Sequence, residues 1–166
     1  MNARPRRAAL AACALLAACA LPPYTPSDVH PGDGRDQVLR VMGPPTGVHT
    51  MPDGHERLEY NHMPAGKHTF MIDLDAAGRV RSWEQVLDER HFATIQPGMA
   101  PEQVRSLLGP PTLTSAYARP RPGYLWMYRW ETIERCVVFE VAFDRATGRV
   151  DETAYPPDPG CPDEWM

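Results

Sequence analysis

The sequence has no apolar run of the length a membrane-spanning helix needs, no Cys-x-x-Cys pair and no surplus of positive charge. A hydrocarbon core of ~30 Å takes about 20 apolar residues in a helix, so the apolar run that ends at Ala20 is too short to cross it. The chain carries 17 Lys and Arg against 21 Asp and Glu, a formal net charge of −4. That balance argues against nucleic acid as a partner and against broad electrostatic adhesion to anionic lipid. Catalytic groupings are missing as well. Catalysis needs a nucleophile with a base in reach, paired carboxylates in a cleft or a cofactor cradle, and no such constellation stands out. Gly32-Asp33-Gly34 has neither the preceding strand nor the Lys-Ser/Thr of a phosphate loop. All six histidines lie between His30 and His91, and His49, His55, His62 and His68 with Glu56 and Glu59 invite a metal reading. His55 to Glu59 falls on a strand pattern, however, which cannot give the one-face helical geometry of a zinc protease. These are read as turn and surface histidines. No catalytic residue, cofactor or metal site is assigned, and an enzyme is not expected.

What is present begins at the N-terminus. Met-Asn-Ala-Arg-Pro-Arg-Arg precedes a short run of Ala, Leu and Cys that ends in Leu16-Ala17-Ala18-Cys19. A charged segment followed by a short apolar one is a secretory signal, and its last four residues resemble a bacterial lipobox. Cleavage between Ala18 and Cys19 would leave a thiol able to carry diacylglycerol. Leu10 to Cys13 spells the same tetrapeptide but leaves too short an apolar stretch before it. The Ala20 that follows, by resemblance to other bacterial lipoproteins, favours the outer membrane. Cleavage removes Arg4, Arg6, Arg7 and no acid, which takes the formal charge from −4 to −7. Attachment is therefore expected through lipid on Cys19, where several acyl chains pass the two-signal threshold for stable anchoring. Cys136 and Cys161 remain, and two leftover thiols in an oxidising compartment usually pair. Their disulfide would stabilise by roughly 3 kcal/mol in the chain-entropy model. It would staple the Pro-rich C-terminus to the strand that Cys136 opens.

The body of the chain says the same thing twice. Pro31-Gly32, Asp36-Gln37-Val38, Val41-Met42-Gly43-Pro44-Pro45-Thr46 returns as Pro97-Gly98, Glu102-Gln103-Val104, Leu107-Leu108-Gly109-Pro110-Pro111-Thr112 at a constant offset of 66 residues. A fixed offset of that size indicates duplication of a whole structural unit. Each copy opens with a short helix: Val104, Leu107 and Leu108 share a face, Pro101 suits a first turn, and Gly109-Pro110 stops it. Val38, Val41 and Met42 make the same stripe before Gly43-Pro44. Period-two runs follow. Leu58 and Tyr60 share one side of a run from Glu56 to Met63. His68, Phe70, Ile72 and Leu74 share a face, with Thr69, Met71 and Asp73 opposite. Val80 to Leu87 follows after a turn. The second copy gives Leu125 to Glu131, then Val137, Phe139, Val141 and Phe143 on one face, then Arg149 to Ala154. Weaker first strands are expected near Val48–Met51 and Leu113–Tyr117. Asp88 to Gln96 is expected to be a short helix or linker. The fold class is α+β: two tandem modules, each a short helix on an antiparallel three- to four-stranded meander.

Gly98-Met99-Ala100-Pro101-Glu102-Gln103-Val104, Leu108-Gly109-Pro110-Pro111, Trp126, Tyr128 and Phe143-Asp144 with Gly148 together resemble the BamE (SmpA/OmlA) lipoprotein domain. That family serves outer-membrane β-barrel assembly. The resemblance implies an outer-membrane, periplasm-facing lipoprotein that binds proteins. BamE itself has one module, and the tandem here resembles the secreted β-lactamase inhibitor protein, whose two copies form a concave binding surface. The expected division is 1–18 signal peptide, 19–30 anchor linker, 31–87 first module, 88–155 second module and 156–166 Pro-rich tail.

Candidate contact residues follow from the pattern. Tyr124, Trp126, Tyr128 and Trp130 alternate, so all four point one way, either into the core under Val104 and Leu108 or onto a binding face. The intermediate arrangement buries Trp126 and Tyr128 and leaves Tyr124 and Trp130 at the rim. The opposite faces of the sheets would carry Met71, Leu125, Met127 and Val138 among charged residues, and clustered apolar residues there would mark a contact surface. Arg119-Pro120-Arg121-Pro122 is a rigid basic loop, either a soluble hairpin connection or a contact with head groups or an acidic partner. Partner-binding candidates are thus Tyr124, Trp130, Met71, Met127, Arg119 and Arg121. Two functions fit: a lipid-anchored scaffold for β-barrel assembly or envelope integrity, bound to a periplasmic or outer-membrane protein, and an inhibitor of a periplasmic hydrolase.

Overall fold

Both Gly-Pro-Pro segments end two-turn helices that could not stand alone. A computed structural model describes residues 25–62, 66–118, 122–131 and 136–161. The lipobox, with Ala18 and Cys19, and the arginines Arg119 and Arg121 lie outside the described residues. Helix α1 (Arg35–Met42) buries Val38 and Met42, and half-buried Val41 packs beside them. Its cap, Gly34, supplies no side-chain hydrogen bond. Strands β1 (Gly47–Thr50), β2 (Glu56–Asn61), β3 (Thr69–Leu74) and β4 (Val80–Gln85) follow and pair in that order, all antiparallel.

Asp88 then caps a single turn, α2 (Glu89–Phe92), accepting from the His91 N–H. Helix α3 (Pro101–Leu108) starts with Pro101 and is closed by the Gln103 side chain, which accepts from the Ala100 N–H at 2.9 Å. It buries Val104 and Leu108. Strands β5 (Leu113–Tyr117), β6 (Gly123–Tyr128), β7 (Phe139–Asp144) and β8 (Val150–Ala154) form the second four-stranded antiparallel meander. The strands are shorter than the period-two runs: β2 ends at Asn61, β4 at Gln85 and β6 at Tyr128. Val137 joins the sheet only through an isolated bridge to Pro157.

The modules agree bond by bond. The Tyr60 hydroxyl donates to the Gly43 carbonyl at 3.0 Å, and the Tyr128 hydroxyl to the Gly109 carbonyl at 3.2 Å. The Thr46 N–H donates to Glu59 O at 2.7 Å, and the Thr112 N–H to Met127 O at 2.8 Å. Arg79 reaches the Gly32 carbonyl and Arg149 the Gly98 carbonyl. The register shifts at Asp73/Leu74 and again at Ala142/Phe143. Leu58, Tyr60, Phe70, Ile72, Leu74 and Val80 face α1, while Tyr128, Phe139, Val141, Phe143 and Val150 face α2 and α3. Each sheet thus turns one apolar face to its own helix, as its period-two pattern requires.

Candidate partner-binding surface

The face of the first sheet that turns away from α1 is not a free surface. Arg57, Glu59, Thr69 and Met71 on it are all buried, Glu59 and Met71 completely. The C-terminal end of α3 rests there. Arg57 Nη1 donates to the Ser106 carbonyl at 3.3 Å, and Arg105 lies 3.8 Å from Glu59. Gly109, at φ +78°, sits so close that a Cβ would fall 2.8 Å from Thr69 Cγ2. Glycine is needed on both counts, left-handed backbone and absent side chain. His68 Nε2 and Glu131, 3.0 Å apart, add a further bond between the modules.

A burial this complete must satisfy the charges it covers. Glu59 accepts from Thr46 Oγ1 at 3.0 Å and meets His49 Nε2 at 2.9 Å. Asp73 takes two bonds from Arg57, at 2.6 and 2.8 Å, and His55 Nε2 lies 3.2 Å from it. Burial pushes the Asp73 carboxyl up, but the Arg57 bonds and the His55 contact outweigh it and hold the group below its ordinary value. His55 also meets Asp53 through Nδ1. His91 is held by Asp88 and Glu84. His49, His55 and His91 are therefore largely buried side chains in contact with carboxylates rather than surface histidines, because the carboxylates that face them lie on neighbouring strands and turns. Among the described residues no three His, Cys, Asp or Glu side chains are arranged to hold a metal ion.

Met71, expected on a contact face, is fully buried for the same reason: the second module covers it. The aromatic ladder also differs from its expected division. Tyr128 and Trp130 are buried, while Tyr124 and Trp126 are half-buried against the same core. Tyr124 stacks on Phe143 with centroids 4.8 Å apart. Trp130 turns inward beyond the end of β6 because Phe92 from α2 meets it edge-on at 5.2 Å. Phe92 in turn stacks on Phe139 at 4.2 Å. Over this cluster lies Tyr155, half-exposed just past β8, with centroids 5.3 Å from Phe139 and 5.9 Å from Trp130. Glu89, Trp130, Val137 and Tyr155 line an open cleft of about 250 Å³ at this corner. Trp130, though buried, is thus one of the residues lining that cleft. Sequence reasoning missed Tyr155, which belongs to no periodic run; its one signal was an aromatic residue directly before Pro156-Pro157.

Met127 lies on the outer face of the second sheet and is nearly buried, beside half-buried Leu113 and Leu125. One end of that face is closed by the C-terminal segment. Cys136 and Cys161 are joined, with Cα atoms 5.6 Å apart. The Val138 N–H donates to the Pro156 carbonyl, and Arg129 binds Asp158 through Nε and, at 2.7 Å, Nη2. The staple expected between Cys136 and the Pro-rich segment is thus in place.

Residues 84–152 match the family model described as the outer membrane protein assembly factor BamE domain. The match runs from the end of β4 into β8 and takes in α2, α3, the aromatic core and the whole second meander apart from its last residues. The resemblance carried by the Gly98–Pro111 segment is therefore shown for the second module, and the first module lies outside it. No curated protein matches the chain.

Proposed function

We propose that this protein is a non-enzymatic lipoprotein of the outer membrane, tethered through an acylated Cys19. Its periplasm-facing body binds protein partners in support of β-barrel outer-membrane protein assembly or envelope integrity. The observation that carries this reading is the coincidence of the BamE-domain match with the module that bears the exposed aromatic corner. Tyr155 is a large, half-exposed ring held on buried Phe139 and Trp130. A rigid aromatic standing beside a cleft is the residue type that dominates protein-interface hot spots. The disulfide adds support, since such bonds persist in oxidising compartments. The lipid anchor would confine the body to a thin layer and raise its effective concentration for membrane-bound partners.

The test is a mild-detergent pull-down of the full chain beside its Cys19→Ser form, with mass spectrometry of what stays bound. Recovery of outer-membrane assembly components by the acylated form alone supports the scaffold. Recovery of one soluble periplasmic hydrolase by both forms, with loss of its activity, replaces it with the inhibitor reading.

A further inference from the structure

The cleft at the aromatic corner carries one charge. Glu89 comes from the first turn of α2, Trp130 from just past β6, Val137 from just before β7 and Tyr155 from just past β8. Two rings and a valine make an apolar surround, and a carboxylate stands at its side. The neighbouring charges on α2 are already matched: Arg90 reaches Glu84 at 3.3 Å, and His91 is held by Asp88 and Glu84. Glu89 is exposed, and it has no ion-pair partner among the described residues. Its charge is felt within the cleft, because burial and then Glu89 push the Tyr155 hydroxyl above its ordinary value. Tyr155 is held on Trp130 and Phe139, so its ring need not be ordered when something binds.

These features select an occupant. A cation is drawn to the face of an aromatic ring, and more strongly where it is partly desolvated. A carboxylate beside the ring adds an ion pair to the same cation. The cleft, at about 250 Å³, falls below the ~300 Å³ at which small-molecule pockets begin, so it suits a single side chain. Of the basic side chains arginine fits best. Its guanidinium plane stacks on a ring while its fork pairs with a carboxylate, whereas the lysine ammonium is a compact, strongly hydrated point charge. The aliphatic stem would lie along Val137. A lipid head group fits worse, since its phosphate would come against Glu89 in a chain of formal net charge −4.

We infer that this cleft seats an arginine side chain presented by a protein partner, with the guanidinium between the Tyr155 ring and the Glu89 carboxylate. The inference rests on the reading of this corner as the partner-binding surface, and it names the chemistry that the surface selects. Tyr155 supplies contact area and Glu89 supplies discrimination against neutral and acidic side chains.

The test uses the purified full chain in mild detergent, with its four tryptophans isotope-labelled, and short blocked peptides as probes. The Trp130 indole signal, identified by its loss in Trp130→Phe, is followed by NMR as each probe is added. An arginine peptide is expected to shift it saturably. The same peptide with citrulline, which keeps the shape and loses the charge, is expected to leave it in place, as are a glutamate peptide and phosphoethanolamine. Glu89→Gln and Tyr155→Leu are each expected to weaken the arginine peptide about threefold or more, with circular dichroism showing both folded. Asp36→Asn, at an exposed acid of the first module, is expected to change nothing. No saturable shift with arginine, an equal shift with any other probe, or full binding by Glu89→Gln would overturn the inference. Binding that emerges only in Arg135→Gln would overturn it too, since the chain's own arginine would then be the occupant. The affinity capture reads the other question. Partners lost with Tyr155→Ala but kept with Glu89→Gln would leave the corner a partner surface and remove arginine from it.

Discussion

Glu59 is wholly buried and lies 2.9 Å from His49, at the place where the end of α3 meets the first sheet. This contact ties the two modules together, because Glu59 on β2 meets both His49 on β1 and Arg105 on α3. Beside it, Asp73 is the sole carboxylate among the described residues that binds the Arg57 guanidinium. Removing one member of a buried pair leaves the other charged and unpaired. Asp73→Ala is expected to cost about 3 kcal/mol in urea unfolding, toward the low end for such pairs. Glu59→Gln keeps the shape and is expected to cost less.

Gly109 and Gly98 make a controlled comparison. Both have positive φ, but a Cβ on Gly98 meets nothing within 4 Å, whereas on Gly109 it meets Thr69. Gly98→Ala is expected to cost about 1 kcal/mol from backbone strain alone. Gly109→Ala is expected to cost about 1 to 3 kcal/mol more, since overpacking adds to the strain. Hydrogen exchange should then show faster opening of the Glu59–Thr69 region for Gly109→Ala only.

Acid should loosen the structure in a defined direction. The Arg129 bonds pull the Asp158 carboxyl below its ordinary value, against burial, and the Gly160 N–H assists. Asp73 is lowered as well. A carboxyl with a depressed folded-state pKa contributes stability that is complete above its unfolded pKa and lost as pH falls through the folded one. The urea midpoint is therefore expected to be level near neutrality and to fall below about pH 4. Asp158→Asn should flatten part of that fall. A midpoint that rose on acidification would contradict the assignment.

Reduction should act on the C-terminal segment. The bond joins residues 25 apart in sequence, and opening a loop of that size removes roughly 3 kcal/mol in the chain-entropy model. Cys161→Ser is expected to lower the melting temperature and to speed exchange at the Val138 and Asp158 amides, while the first module keeps its protection.

The repeat makes most of this architecture legible in the sequence. Val38 and Met42, Val104 and Leu108, and the Phe70–Ile72–Leu74 face fell where periodicity put them, since each is a local pattern meeting its own sheet. The opposite faces were not legible. Period two says that Arg57, Glu59 and Met71 point away from α1, and says nothing of what covers them there. That depends on the α3–sheet contact, which joins Glu59 to Arg105 across 46 residues of chain. The burial of His49, His55 and His91 is not legible for the same reason, because their carboxylate partners are set by register and turn rather than by spacing, whereas His30 is exposed as expected. Trp130 reads as rim because it is the last ring of the alternating ladder, and Phe92 from α2 and Tyr155 pack against it.

The central claim is that the BamE-like module brings a membrane-tethered body to a protein partner through its aromatic corner. The most direct test is affinity capture of the full chain from detergent-solubilised membranes, comparing wild type with Tyr155→Ala and Cys19→Ser. The account predicts that outer-membrane assembly components are retained by wild type. It predicts that they are lost with Cys19→Ser and reduced about tenfold or more with Tyr155→Ala, the effect expected of a hot-spot aromatic. Equal capture by all three forms, or capture of a soluble hydrolase alone, would contradict it.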